Sequence, residues 1–114
     1  LARHSWQKRI AGPKLTTEFV LFELLDALTS ERLRAFAVAV VDLIRRDATI
    51  EVPLTSSALL DNGFKLFRAR TDKRWGLTDC ISFSVMSDAG VTDALTADHH
   101  FEQAGYKALL LQNP

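Results

Sequence analysis

Apolar residues recur at helical spacing in four stretches of this chain, and turn-bounded, strand-like runs separate them. Over Glu18 to Leu28, Phe19, Val20, Leu24, Ala27 and Leu28 share a face with Glu23, and Thr17 stands in the capping position. Thr29-Ser30-Glu31 opens a second helix, with Leu33, Phe36, Ala37, Val40, Val41 and Ile44 as its stripe. Arg45-Arg46 at its end suit the helix dipole. A third helix starts after Ser56 or Ser57 and carries Leu59, Leu60, Phe64, Leu66 and Phe67, with Gly63 as an unfavourable helix residue in its middle. Thr78 caps a fourth, which runs through Asp88 with Ile81, Phe83, Val85 and Met86 inside, and Gly90 closes it. Strands are expected at Lys14 to Thr17, Thr49 to Pro53, Val91 to Leu95 and Lys107 to Leu111. Leu1 to Ile10 reads as the end of a helix stopped by Gly12-Pro13. Asp98 to Gln103 reads as a helical turn closed by Gly105.

Strands alternating with helices predict an α/β fold with a central parallel sheet flanked by helices. No repeat, low-complexity tract or linker interrupts the chain, so residues 1–114 are expected to form a single domain. The 14 basic and 14 acidic residues cancel, so no global basic field draws nucleic acid in, and any such binding rests on local patches or on a metal. Cys80 is the single cysteine, which excludes a disulfide framework and suits a reducing cytoplasm. The longest apolar run, Phe36 to Val41, is far short of a membrane span, and the start carries no secretory pattern. Because the chain begins with Leu1 rather than Met, it is expected to be trimmed or to start partway through a longer product.

Three carboxylates stand where chemistry is built in parallel α/β folds, near strand ends and helix starts. Glu23 lies on or beside an apolar stripe, Asp79 follows Thr78 in a first turn, and Asp98 follows Ala94-Leu95-Thr96. Two unit charges about 4 Å apart repel by roughly 4 kcal/mol at an effective dielectric of 20. Convergence therefore requires a proton or a divalent cation, and an all-oxygen set selects Mg2+ or Mn2+. Against this, Asp79 and Asp98 serve equally well as helix caps, and Glu23 as a solvated or ion-paired surface residue. Asp88 and Asp93 are read as exposed near a turn, and Asp26, Asp42, Asp61 and Asp72 as surface charge. A zinc site on His99-His100 is disfavoured, since adjacent helical residues point about 100° apart. Cys80 is expected to be buried rather than nucleophilic. Arg68, Arg70, Lys73 and Arg74 either hold phosphates or form a solvated connector from Arg68 to Arg74.

The stretches LTTEFVLFELLDAL and WGLTDCISFSVMSDAGVTDALTADHHFEQAGYKALL together resemble the PIN-domain family, most closely its small VapC-like toxins. The resemblance covers nearly the whole chain. It implies a three-layer fold and a Mg2+- or Mn2+-dependent ribonuclease that cleaves RNA phosphodiester bonds through a metal-activated water. By motif it makes Glu23, Asp79 and Asp98 the metal-holding acids, with Thr96 and Thr16 supporting the site. It also implies an antitoxin protein and a homodimer, to which Phe64, Phe67 and Trp75 either lend apolar contacts or, as the preferred reading, contribute core packing. The family's first strand, which ends in a further catalytic aspartate, has no counterpart here. Its absence is expected to leave a gap between neighbouring strands. A protein lacking one ligand aspartate is alternatively a catalytically inactive PIN-like binding module.

Overall fold

The computed structural model describes residues 14–94, 96 and 98–109. The helix end at Leu1 to Ile10, the Gly12-Pro13 stop, Leu95, and Leu110 and Leu111 of the last strand lie outside the described residues. The elements run β1 (Lys14–Leu15), α1 (Glu18–Ala27), α2 (Glu31–Arg46), β2 (Ile50–Glu51), α3 (Ser57–Ala69), α4 (Leu77–Ala89), β3 (Asp93–Ala94), α5 (His99–Gln103) and β4 (Lys107–Ala108). All the expected elements that fall on described residues are present, in an α/β order. Within the described residues β1 and β2 are shorter than the runs that predicted them, since two residues of each pair with the other strand. The described residues fall into two compact units, 14–55 and 56–109.

In the first unit β1 and β2 run parallel, with Lys14 beside Ile50 and Leu15 beside Glu51. The Thr16 N–H continues the ladder to the Glu51 carbonyl at 3.0 Å. Thr17 caps α1 as expected: its buried hydroxyl accepts the Val20 N–H at 3.3 Å. Ser30 does the same for α2 through the Leu33 N–H. The Glu18 carboxylate receives both the hydroxyl and the N–H of Thr55, and these bonds hold its pKa below the usual value. The buried line of α1 differs from the expected stripe. It runs from Thr17 to the buried Leu21, with Leu24 and Leu28 half-buried at helical spacing, and leaves Val20, Glu23 and Ala27 exposed. In α2 the line is Ala37, Val41 and Ile44, and the expected Leu33 and Phe36 are exposed. An apolar stripe marks which residues a helix can bury, not which it does bury.

In the second unit α3 lies along α4. The side of α3 turned to α4 is centred on Gly63, which is buried against Ile81. A Cβ at position 63 would overlap Ile81 Cγ1 and come within 3.0 Å of its backbone. Leu59 and Leu66, one turn to either side, flank this contact and are half-buried. Leu60, Phe64 and Phe67 fall on the adjacent stripe and are exposed, so the expected core role of Phe64 and Phe67 is not met. The helix also extends further than predicted: Arg68 is in its last turn rather than in a connector, and Arg70 is its C-cap.

The start of α4 is also corrected. Gly76, not Thr78, is the N-cap, and Thr78 lies within the first turn. Gly90 ends α4 at φ 68°, in the left-handed region that glycine enters without a Cβ penalty, as the sequence predicts. β3 and β4 then pair in parallel, Asp93 with Lys107 and Ala94 with Ala108. Among the described residues the parallel strands come as two pairs, β1 with β2 and β3 with β4.

Phe83 anchors the core of the second unit. Its ring meets Trp75 edge-on at 5.1 Å and Phe101 edge-on at 4.8 Å, and stacks on Tyr106 at 5.6 Å. The polar tips of the partners are satisfied. Tyr106 donates its hydroxyl to the Phe83 carbonyl at 2.8 Å, and the Trp75 indole donates to Gln103 Oε1 at 3.1 Å. Burial, with the Asp88 charge adding to it, raises the Tyr106 pKa.

The helix contact at Gly63 yields the first prediction. On an exposed helix Gly→Ala gains up to about 1 kcal/mol, but overpacking a core costs about 1–3 kcal/mol. Gly63→Ala is expected to lower the urea denaturation midpoint, with a net loss of about 1–2 kcal/mol; a raised midpoint would show that the contact is loose.

Candidate metal centre

Asp79 and Asp98 each cap a helix, and those helices bring them together. Asp79 occupies the third position of α4, where its Oδ2 accepts the Gly76 N–H at 3.1 Å. Asp98 is the N-cap of α5 and accepts the His100 N–H on Oδ1 at 2.9 Å. Its own N–H donates to Thr96 Oγ1 at 3.1 Å, so the threonine hydroxyl fixes the turn that aims the aspartate. Asp79 and Asp98 thus act as helix-start acceptors and also lie close together, while Glu23 is not part of this cluster.

A third group completes the cluster. His100 Nδ1 stands 3.3 Å from Asp79 Oδ2 and 3.4 Å from Asp98 Oδ1. One donor atom from each of the three residues lies within 4.8 Å of the others. A divalent cation with ligand bonds of about 2.0–2.2 Å spans that spread after small side-chain rotations. Two carboxylates and an imidazole are a chemically sound donor set for it. His100 was not among the expected site residues. The argument against two adjacent histidines sharing a metal is sound, since His99 turns out toward Glu102 at 3.2 Å with a side chain 78% exposed, against 33% for His100. The readable signal was Asp-x-His with the aspartate as N-cap, because that turn folds the residue two positions on back toward the cap.

Cys80, next to Asp79, is fully buried. Burial first and the Asp79 charge second push its thiol pKa up, so it is no nucleophile, as expected. Glu23 and Thr16 belong to the 14–55 unit. Glu23 is exposed on α1, and Thr16 is half-buried at the end of β1.

The basic residues are partly committed. Arg68 sits over the Phe64 ring at 4.8 Å. Arg70 lies over the Trp75 indole at 4.9 Å and grips Asp72 with two bonds of 3.0 Å. Lys73 is half-buried and Arg74 exposed in the segment that follows.

No family model and no curated protein matches the chain. A solved structure does resemble it: the crystal structure of VapC20 from Mycobacterium tuberculosis, a toxin that cleaves the sarcin-ricin loop. The likeness covers 95% of this chain and 85% of that one, with a TM-score of 0.78 and 25% sequence identity. The α/β order with short parallel strands matches the fold of that toxin.

The Arg70–Asp72 pair yields a pH prediction. The guanidinium bonds hold the Asp72 carboxyl down at about 2, against an ordinary 3.8. A depressed carboxylate contributes stability above its ordinary value and loses it as pH falls through its folded value, so this pair should persist at pH 4 and be broken below about 2. Carbon-detected NMR titration should place Asp72 near 2, and Arg70→Ala should raise it toward the ordinary value. An unchanged value in the variant would show that another group sets it.

Proposed function

We propose that this chain, a PIN domain of the VapC type, is a metal-dependent endoribonuclease and the toxin of a toxin–antitoxin pair. One observation carries the reading: Asp79, Asp98 and His100 converge within 4.8 Å at the start of α4, in a chain that shares its fold with a toxin that cleaves an RNA loop. In this proposal residues 1–114 form one PIN-like domain, a reading supported by the 95% of the chain that the likeness covers.

Asp79 and Asp98 would hold a Mg2+ or Mn2+ ion, with Glu23 proposed as a further acid. When bound, such a cation lowers the pKa of an attacking water and offsets charge on the phosphodiester as it is cleaved. The protein residues supply the rest. The Gly76 N–H and the His100 N–H orient the two carboxylates before any ligand arrives, so little side-chain entropy remains to be lost on binding. Thr96 keeps Asp98 in its turn. No side-chain nucleophile is required. Arg68, Lys73 and Arg74 are proposed to meet phosphates of the RNA, and Arg70 to hold the connector through Asp72 instead.

The partners are RNA, an antitoxin protein that masks the acidic centre, and a second copy of the chain. A reducing cytoplasm is the proposed setting. Among the described residues no helix is long and apolar enough to cross a membrane.

RNA carrying a sarcin-ricin loop is the first substrate to assay, since that is what the similar toxin cleaves. Cleavage is expected with Mn2+ or Mg2+ and should stop on adding a chelator. Asp98→Asn should slow it roughly a hundredfold or more, the scale of removing one group that stabilises transition-state charge. Cleavage that survives both treatments would overturn the proposal.

A further inference from the structure

We propose that His100 is itself a ligand of the cation, and that its nitrogen makes the centre select a first-row transition cation over Mg2+. The inference rests on the metal-centre reading above and deepens it by naming the class of ion.

The placement of His100 supports the assignment. Its ring nitrogen faces both carboxylates, 3.3 Å from Asp79 and 3.4 Å from Asp98, at distances close to the edge of a coordination polyhedron with bonds of about 2.0–2.2 Å. Its backbone is held on two sides. The His100 N–H is bonded to Asp98 Oδ1, and the next residue, Phe101, is locked edge-on against Phe83 at 4.8 Å. His99 has the same side chain but points to solvent and Glu102, so the inward placement belongs to position 100 alone. The helix start thus presents nitrogen and oxygen donors together.

Donor chemistry then sets the choice of ion. Mg2+ sheds its water reluctantly and takes oxygen ligands almost exclusively. Imidazole suits the later first-row ions, and affinity for a mixed nitrogen–oxygen site rises from Mn2+ to Cu2+, with Zn2+ below Cu2+. An all-carboxylate site would discriminate far less between Mg2+ and Mn2+. Replacing one oxygen donor by a ring nitrogen penalises Mg2+ selectively.

Mn2+ bound to the protein, followed by pulsed electron paramagnetic resonance, tests this without any activity readout. A nitrogen hyperfine coupling of directly ligated imidazole is expected, and it should shift on 15N-histidine labelling and vanish in His100→Gln. Mg2+ competition should show Mn2+ held at least about tenfold more tightly than Mg2+. His100→Gln should weaken Mn2+ about tenfold or more and Mg2+ less than about twofold, and His100→Asp should collapse the preference. Bound Mn2+ that Asp98→Asn displaces but that shows no nitrogen coupling would overturn the His100 assignment and leave the nuclease reading standing. Absence of any Mn2+ binding sensitive to Asp98→Asn would overturn both. The coupling is measured on the native protein, so the test stands even if His100→Gln fails to fold.

Discussion

The contacts of the Phe83 ring with Trp75, Phe101 and Tyr106 fix where the acidic groups stand. Trp75 immediately precedes Gly76, whose N–H is bonded by Asp79. Phe101 immediately follows His100. One ring on α4 therefore sets both the start of its own helix and the start of α5. Aromatic pairs of this kind contribute about 0.5–1.5 kcal/mol each beyond their buried area. The bonds from Tyr106 to the Phe83 carbonyl and from Trp75 to Gln103 keep the polar tips satisfied, so this packing carries no penalty for unpaired polar atoms. The apolar cluster is tied to the polar one through the adjacent pairs Trp75–Gly76 and His100–Phe101, and the second inherits its geometry from the first.

The cluster also shows how a helix start can serve two ends. A carboxylate that accepts a backbone N–H has part of its charge offset and most of its rotamer freedom already spent. Asp79 and Asp98 both do this, and Asp98 uses one oxygen for the His100 N–H while that same oxygen faces the His100 ring. A free surface aspartate would lose that freedom only on binding. Here the fold has removed it during folding, when hydrophobic burial outweighs it.

Much of this could be read from the residues. Thr17, Ser30, Ser56, Asp98 and Gly90 are local signals whose effect depends on a few neighbouring backbone groups, and each acts where the sequence places it. The buried interior of α4 was legible because that helix is apolar on nearly every side. Elsewhere the answer lay in long-range contacts. Gly63 looks like a helix weakness until Ile81 is seen against it, and that contact rotates α3 so that Leu60, Phe64 and Phe67 stay outside. Thr78 is a better cap by residue type than Gly76, yet Asp79 reaching back to the Gly76 N–H moves the start of the helix upstream. His100 was hidden because its role depends on a turn and on an aspartate 21 residues away, neither of which periodicity reports.

Cys80 has a consequence of its own. It is the chain's single thiol, it is fully buried, and both its surroundings and the adjacent Asp79 disfavour the thiolate. A reagent that attacks thiolates can reach it only when its surroundings part, so the native protein carries a built-in clock for local opening. The speed of that modification, compared with the speed of global unfolding, measures how independently the floor of the candidate centre breathes, with no label added and no residue changed.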